Sequence, residues 1–489
     1  MPRFRIRQTK EREEIRRIVE KGVRKNMLRD IEYRQVPAPC ADCSQVPVML
    51  TDGTMEERLQ KVLSRMEEER IDTLVVYADL EHGNNFEYLT GFLPRFEEAL
   101  LVLHADGQAF MVMGNENLNK VPSARIKATA IHAPYFSLPN QPMACEKGFV
   151  EILKEAGIGS GARIGIAGWK NFTSPYEDNA QLFDVPSYIV DRIRQLAGED
   201  GTVFNATYLF IGEKGVRCRN NVNEIEHYEF GAALASDRML AAMDRLDVGV
   251  SELELGGLLN ACGQKNSVVT IAAAGKRFVK ANLYPTDHKV ELGEPISLTV
   301  GYKGGLSSRA GYAVERPDQL PEGIRDYVDV VVKPYFDAYT VWLEHAHCGM
   351  KGDELYQLIE AALPKADYHW SLCPGHLTAD EEWMSSPIYG GSREVLESGM
   401  LFQIDIIPSV QGYGGTSAES TVALADSALQ QEIRQQAPAL WERIQARREY
   451  IQSQLGILLH PDILPLCSTV AYLRPLLLDK EKAMAIGRG

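Results

Sequence analysis

Apolar residues follow two alternating spacings along the first half of this 489-residue chain. Between residues 55 and 69 they recur every three to four positions, which predicts an amphipathic helix. Short, almost wholly apolar runs at 73–78, 99–104, 109–113 and 163–167 predict buried strands. Strands that alternate with helices in this way predict an α/β domain built on a mixed sheet.

The second half begins with a long helical pattern from residue 223, followed by a shorter helix that Ser251 caps. Residues 396–423 then form two apolar runs on either side of a glycine-rich turn, which is the pattern of a β-hairpin. A charged helical segment follows at 430–451. At the other end of the chain, apolar residues at helical spacing among many charges predict an amphipathic helix at 10–30.

The predicted hairpin carries two acids that need an explanation. Asp405 lies in its first apolar run and Glu419 in its second. A carboxylate within a strand that packs on a core is costly unless it has a partner or a task. Upstream, His376 follows a Pro-Gly turn and supplies an imidazole. Two strand carboxylates and a histidine predict a hydrolytic centre or a metal site, and the alternative is a pair of edge-strand acids that face solvent.

Composition narrows the classes of function. A net charge of −15 disfavours nucleic acid and anionic membranes as partners, and no apolar run approaches the length of a membrane span. The first residues lack the apolar core of a signal peptide. Eight cysteines spread over the chain predict reduced thiols and a cytoplasmic location. The CxxC spacing of Cys40 and Cys43 stands alone, and we interpret it as incidental.

Motifs in both halves resemble one protein superfamily. The stretches LESGMLFQID at 396–405 and SAESTVAL at 417–424 resemble the closing motif of the creatinase, prolidase, aminopeptidase P and methionine aminopeptidase superfamily. NFEYLTGF at 85–92, followed by ALLVLHADGQAF at 99–110, resembles the non-catalytic N-terminal domain of the first three. Methionine aminopeptidases lack that domain, so the resemblance narrows to creatinase, prolidase and aminopeptidase P.

The resemblance implies an α+β chain, with a pita-bread C-terminal domain preceded by an α/β creatinase-type N-terminal domain. A short pattern at 249–255 recurs at 349–355, which fits the internal two-fold pseudo-symmetry of that fold. In relatives the N-terminal domain helps a dimer to build its active sites, so we expect a homodimer or a larger assembly. We expect a charged helical extension, the N-terminal domain, the pita-bread domain and a helical C-terminal tail, at residues 1–54, 55–215, 216–430 and 431–489 respectively.

The metal-dependent relatives bind two divalent ions through five side chains, and the resemblance locates those positions here. Three of the five keep ligand-type side chains, namely His376, Asp405 and Glu419. At the other two, Thr299 replaces the first aspartate, and Arg309 or Ala310 replaces the second. The positive charge of an arginine at position 309 would repel a metal ion. We therefore expect no dinuclear metal site.

The resemblance also indicates which residues contact the substrate. Asn282 stands where the family has a catalytic histidine, and Trp383 lies in the loop that lines the family's pocket. We expect Asn282, Arg309 and Trp383 to bind substrate. His288, beside Asp287, is a candidate for a replacement base.

These substitutions imply a creatinase-like hydrolase that cleaves a C–N bond in a small, cationic substrate without a metal cofactor. In this interpretation His376 is the acid/base, while Asp405 and Glu419 orient the substrate in an acidic pocket. Two alternatives stay open. One is a catalytically inactive pita-bread binding protein. The other is an Xaa-Pro peptidase or dipeptidase that uses one divalent ion, such as Mn or Zn, on the three retained ligands.

Overall fold

The computed structural model describes residues 29–44, 46–279 and 284–487. Two compact units share these residues: one is the continuous segment 49–219, and the other joins the segment before it to residues 220–489. The amphipathic helix expected at 10–30 falls mainly on residues outside the described part of the chain. Among the helices that are described, none combines the length and the apolar character needed to cross a membrane. The first strand, β1 (Ile31–Gln35), belongs to the discontinuous unit.

The continuous unit is built on one mixed six-stranded sheet with the order β5-β4-β3-β2-β6-β7. Its strands are β2 (Thr73–Ala78), β3 (Ala99–His104), β4 (Ala109–Met113), β5 (Thr129–His132), β6 (Arg163–Ala167) and β7 (Thr202–Asn205). Its helices are α1 (Asp52–Glu68), α2 (Asn84–Thr90), α3 (Phe149–Glu155) and α4 (Ser187–Ala197). β2 pairs antiparallel with β3 and parallel with β6, so the predicted mixed sheet and its four predicted strands are confirmed.

The core of this unit explains why the sequences of its strands are continuous apolar runs. Val75 and Ile164 on the sheet and Ile152 and Ile189 on the helices are all buried in one cluster. A strand whose two faces are covered has no solvent side to carry polar residues, so the period-2 alternation disappears.

The described residues of the discontinuous unit form three small antiparallel sheets, with the orders β13-β10-β9-β8, β11-β12-β14-β15 and β1-β16. Its further strands are β8 (Ile271–Ala274), β9 (Pro295–Tyr302), β10 (Gly305–Tyr312), β11 (His376–Leu377), β12 (Leu401–Gln403), β13 (Ser417–Glu419), β14 (Thr421–Leu424), β15 (Ile463–Pro465) and β16 (Lys482–Ile486). Its helices are α5 (Val222–Arg245), α6 (Glu252–Leu259), α7 (Lys276–Val279), α8 (Lys333–His345), α9 (Gly352–Ala362), α10 (Lys365–Tyr368), α11 (Ser427–Gln436) and α12 (Pro438–Ser453).

The repeated sequence pattern corresponds to a repeated piece of backbone. Gly249 and Gly349 have φ angles of 88° and 92°, which favour glycine, and they precede α6 and α9 respectively. The N–H of Gly249 donates to the carbonyl of Val290 at 2.8 Å, and that of Gly349 donates to Leu396 at the same distance. Each connection therefore ties the start of a helix to the approach of a later hairpin, as expected for a pseudo-two-fold repeat.

The predicted hairpin at 396–423 is present, but its strands are shorter than the pattern suggests. β12 pairs with β14, with Leu401 opposite Ala423, and it ends at Gln403. β13 pairs with β10 instead of the first apolar run. Asp405 therefore lies just beyond a strand, while Glu419 is the last residue of one.

The C-terminal segment differs from a simple helical tail. Its helical part is two helices, α11 and α12, because Pro438 has no N–H to continue the first and starts the second instead. The chain then enters the core, where Leu464 and Leu473 are fully buried. β16 finally pairs with β1, with Ile486 opposite Ile31.

Candidate active site

His376 is held at the start of β11 with its imidazole completely buried. β11 pairs His376 with Gln403, the last residue of β12, so the ring lies next to the segment that continues to Asp405. Nδ1 lies 3.3 Å from the carbonyl oxygen of Leu377. A carbonyl can only accept, so Nδ1 carries a hydrogen, and in a neutral ring Nε2 then keeps the lone pair.

The structure brings the two predicted acids to this histidine. Asp405 and Glu419 are both buried, and one ligand atom from each lies within 4.8 Å of the other and of a ring nitrogen of His376. Over residues 29–44, 46–279 and 284–487, no other group of three histidine, cysteine or acidic side chains meets that distance. The alternative of edge-strand acids that face solvent is wrong, because neither carboxylate is exposed.

Both carboxylates are held in an environment that disfavours their charge. Burial raises the pKa of Asp405 to about 6; the charge of Glu382 adds to this rise, and His376 opposes it. Burial, followed by the charges of Asp405 and Glu382, raises the pKa of Glu419 well above its usual value. The cluster is therefore short of positive charge and would be stabilised by a proton or another cation.

The strands beside Glu419 carry two hydroxyls, one on Thr299, which replaces the first aspartate of the motif, and one on Ser308, which precedes the two candidate positions for the second. Ser308 on β10 lies opposite Glu419 on β13 and opposite Thr299 on β9. The Oγ1 of Thr299 and the Oγ of Ser308 are buried and lie 2.9 Å apart, so they hydrogen-bond to each other. Two neutral hydroxyls cannot replace two bridging carboxylates, so these two side chains do not supply ligands for a second divalent ion.

Arg309 does not take part in this cluster, and the expectation that it binds substrate is corrected. Side chains alternate across a strand, so Arg309 leaves β10 on the face opposite to Ser308. Its guanidinium is 1% exposed. Its five N–H groups donate to the carbonyls of Ser308, Glu419, Thr469 and Tyr472 and to the hydroxyl of Ser420, at 2.6–3.2 Å. No donor is left for a substrate, and the residue is structural.

The loop after β11 adds an expected residue and one that sequence reasoning missed. The indole of Trp383 stacks on the imidazole of His376, with ring centroids 4.0 Å apart and planes at 25°. Glu382 was missed, although its Oε1 lies 3.0 Å from Nε2 of His376. The only signal in the sequence was its position next to Trp383, because an irregular loop has no periodicity to show which side chain turns inward.

Two further candidates remain, Asn282 and His288. Asn282 falls outside the described residues, so its expected contact with substrate stays a prediction. His288 is committed to another partner, because its Nε2 lies 3.0 Å from Oε2 of Glu294. That contact gives His288 a local role on the approach to β9.

The donor set fits one divalent ion. Nε2 of His376 and Oδ1 of Asp405 are buried and have no hydrogen-bond partner among the described residues. A buried polar group without a partner costs about 1–3 kcal/mol, so both atoms call for a ligand. One imidazole and two carboxylates, from His376, Asp405 and Glu419, are ligands that Zn²⁺ and Mn²⁺ accept. Thr299 and Ser308 supply no carboxylate for a second ion.

Comparison with known proteins identifies the N-terminal domain and the fold. Residues 58–194 match the family model of the creatinase/prolidase N-terminal domain. The chain superposes on the prolidase from Thermococcus sibiricus with a TM-score of 0.60 and 18% identity, over 76% of this chain and 95% of that one. Residues 58–194 are therefore similar to a creatinase/prolidase N-terminal domain, and the chain has the fold of this prolidase. The predicted pita-bread fold, preceded by a creatinase-type α/β domain, is thereby confirmed.

Two other solved structures give the same result. The dipeptidase from Pyrococcus horikoshii OT3 superposes with a TM-score of 0.58 and 20% identity, over 75% of this chain and 94% of that one. The X-Pro aminopeptidase from Thermotoga maritima gives 0.56 and 16%, over 75% and 95%. At these identities the likeness establishes the fold. None of the curated proteins matches the chain significantly in sequence.

Proposed function

We propose that this chain hydrolyses a C–N bond in a short peptide or a similarly small substrate, at a centre that holds one divalent ion on His376, Asp405 and Glu419. The observation that supports this most directly is the pair of unpartnered buried atoms, Nε2 of His376 and Oδ1 of Asp405. Both belong to side chains of the one close group of potential ligands in the described chain. A shared cation would satisfy both atoms and neutralise the neighbouring carboxylates.

A bound divalent ion would supply a polarised carbonyl and a more acidic water. The chain's own residues supply the surroundings. Trp383 covers one face of the imidazole and keeps water from it, while the contact from Nδ1 to Leu377 fixes the ring so that Nε2 faces the acids. Thr299 and Ser308 use one of their two hydroxyl hydrogens on each other, so the second can be donated to a substrate oxygen or to Glu419.

A metal-independent hydrolase of a cationic substrate is the second candidate, and the charge balance favours it. Asp405, Glu419 and Glu382 surround one imidazole, and no lysine or arginine of the described chain forms an ion pair with any of them. A substrate guanidinium or amine would supply the positive charge. His376 would then take a proton from water, the hydroxide would add to the carbon of the C–N bond, and the proton would pass to the leaving nitrogen.

Metal analysis combined with a substrate screen tests both proposals. Purified protein would be analysed for Mn, Co and Zn, and then assayed with Xaa-Pro dipeptides, guanidino compounds and N-methyl amino acids, with and without a chelator. The first proposal predicts about one ion per chain and chelator-sensitive dipeptide hydrolysis. The second predicts no ion and chelator-resistant hydrolysis of a cationic compound.

The matched variant is His376→Ala, which should lower kcat/KM at least about 100-fold under either proposal while the fold survives. Turnover of the same substrate at near wild-type rate in this variant would overturn both. Two ions per chain would refute the incomplete site. Ligand binding without turnover of any compound would instead identify a binding protein.

A further inference from the structure

Asp380 is a buried acid in the loop after β11 that the proposed reaction does not use. Its side chain is 4% exposed. The hydroxyl of Tyr228, on α5, donates to its Oδ2 at 3.0 Å. Nζ of Lys303, in the turn between β9 and β10, lies 3.5 Å from its Oδ1. Because a buried carboxylate is costly without partners, these two contacts fix Asp380 against α5 and the turn.

The backbone beside Asp380 is attached to the same turn. The N–H of Gly304 donates to the carbonyl of Ala379 at 2.6 Å. Gly304 has a φ angle of 99°, and a Cβ at this position would collide with the carbonyl oxygen of Tyr228, so the turn packs directly against α5. The base of the loop is therefore held by elements that carry none of the three proposed ligands.

Hydrogen bonds inside the loop turn the chain back towards His376. The hydroxyl of Thr378 and the N–H of Ala379 both donate to the carbonyl of Glu381, each at 3.1 Å. On the returning side of this tight turn, the indole of Trp383 stacks on the imidazole with ring centroids 4.0 Å apart. The position of the indole thus depends on where the turn is anchored.

Hydrogen bonds alone hold the His376 ring weakly. Its Nδ1 bonds to the carbonyl of Leu377, and at 3.3 Å this bond is long. Its Nε2, the atom proposed to bind the ion or to take a proton, has no hydrogen-bond partner among the described residues. The indole of Trp383, whose plane is inclined by 25° to the imidazole, therefore adds a restraint on rotation of the ring.

We propose that Asp380 is a positioning residue for this centre. By holding the loop after β11 against α5, it keeps Trp383 stacked on His376 and Nε2 directed at Asp405. Nε2 lies 3.9 Å from Oδ2 of Asp405, so a small rotation of the ring changes whether the two groups can share a cation. The expected effect on turnover rests on the proposed hydrolase, whereas the effect on the position of Trp383 does not.

Fluorine NMR of protein that contains 5-fluorotryptophan reports on Trp383 without an activity assay. The chain has five tryptophans, and the resonance that is absent from Trp383→Phe belongs to Trp383. The ring current of the stacked imidazole shifts this resonance, so Asp380→Ala should move it more than the other four. Tyr228→Phe, which removes the hydroxyl that donates to Asp380, should move it in the same direction.

Asp479→Ala is the matched control for this experiment. Asp479 precedes β16, its side chain is 12% exposed, and its Oδ2 lies 3.1 Å from Nζ of Lys482. The variant therefore removes another mostly buried aspartate that is paired with a lysine in the same unit. It should leave the Trp383 resonance unchanged.

Steady-state kinetics on a hydrolysed substrate separate positioning from binding. Asp380→Ala should lower kcat about 10- to 100-fold, because a reacting group displaced by about 1 Å loses this much, and should change KM less than about threefold. Asp380→Asn keeps an oxygen for the hydroxyl of Tyr228 but loses the charge that faces Lys303, so its kcat should lie between those of Asp380→Ala and wild type.

The proposal is supported if the Trp383 resonance moves in Asp380→Ala and Tyr228→Phe but not in Asp479→Ala. An unchanged resonance in both variants overturns it and leaves the proposed hydrolase standing. Equal shifts of all five resonances show a general loss of packing and also overturn it, as does a moved resonance with wild-type kcat. If Asp380→Ala does not fold, Tyr228→Phe decides by the same criteria. A wild type that hydrolyses no compound refutes the proposed function, and the resonance still decides whether Asp380 positions Trp383.

Discussion

Replacing Arg309 by methionine should destabilise the protein strongly and leave substrate binding nearly unchanged. The substitution keeps most of the side-chain volume but removes a buried charge and five N–H donors. Four of the five acceptors are backbone carbonyls, and the donor–acceptor distances are 2.6–3.2 Å. A buried acceptor that loses its donor costs about 1–3 kcal/mol, and water cannot reach a site where the arginine is 1% exposed.

Even if half of these acceptors find new partners, the loss is about 2–8 kcal/mol, a large part of a typical total of about 5–15 kcal/mol. Arg309→Lys should be destabilising too, because one ammonium cannot span acceptors that surround a planar guanidinium. Urea denaturation followed by circular dichroism would measure the change. Arg316→Met, at an exposed arginine, is the control and should stay within about 0.5 kcal/mol of wild type.

An Arg309→Met protein as stable as the wild type, with a raised KM for an anionic or peptide substrate, would refute this account. It would mean that the guanidinium faces the pocket after all. The distinction matters because the sequence pattern alone placed this cation among the metal ligands.

Two further predictions concern pH and assembly. The hydrogen bond to Glu294 raises the pKa of His288 in the folded protein above its usual value of about 6.5. The contribution of this pair to the stability of the fold is therefore complete below pH about 6.5, and it is lost as the pH rises through the raised pKa. His288→Asn should therefore cost under about 1 kcal/mol, and more at pH 6 than at pH 9, in urea denaturation; an equal loss at both would contradict the pairing. We also propose a homodimer or dimer of dimers, from the resemblance of the N-terminal domain, and a monomer in light scattering at micromolar concentration would contradict it.

The spacing of apolar residues predicted the helices and strands in which burial decides where apolar side chains occur. The strands of the six-stranded sheet are uninterrupted apolar runs because both faces are covered, and such runs can be read directly from the sequence. Asp405 and Glu419 were found because a carboxylate is unusual within an apolar run, and His376 because it follows a Pro-Gly turn upstream of them. Charged side chains that are costly to bury can therefore be recognised in the sequence before the structure is known.

The misplacement of Arg309 has a different origin. Side chains in a strand alternate between faces, so the one-residue uncertainty between Arg309 and Ala310 is also an uncertainty between two faces, and Ala310 is the one that shares the face of Ser308. Glu382 escaped prediction because nothing in a loop sequence shows which of two adjacent acids turns inward. β13 was assigned to the wrong partner strand because its pairing with β10 depends on residues more than a hundred positions away.

The pairing of β1 with β16 has a consequence for how the polypeptide is made. The unit at 49–219 is continuous, so its core can close while the ribosome is still adding the rest of the chain. The other unit cannot be completed until residues 482–486 have been synthesised, and until then β1 has a free edge that another nascent chain could pair with. The order of folding therefore differs from the order of synthesis. Residues 49–219, which lie between the two parts of the discontinuous unit, are the first to become a finished domain.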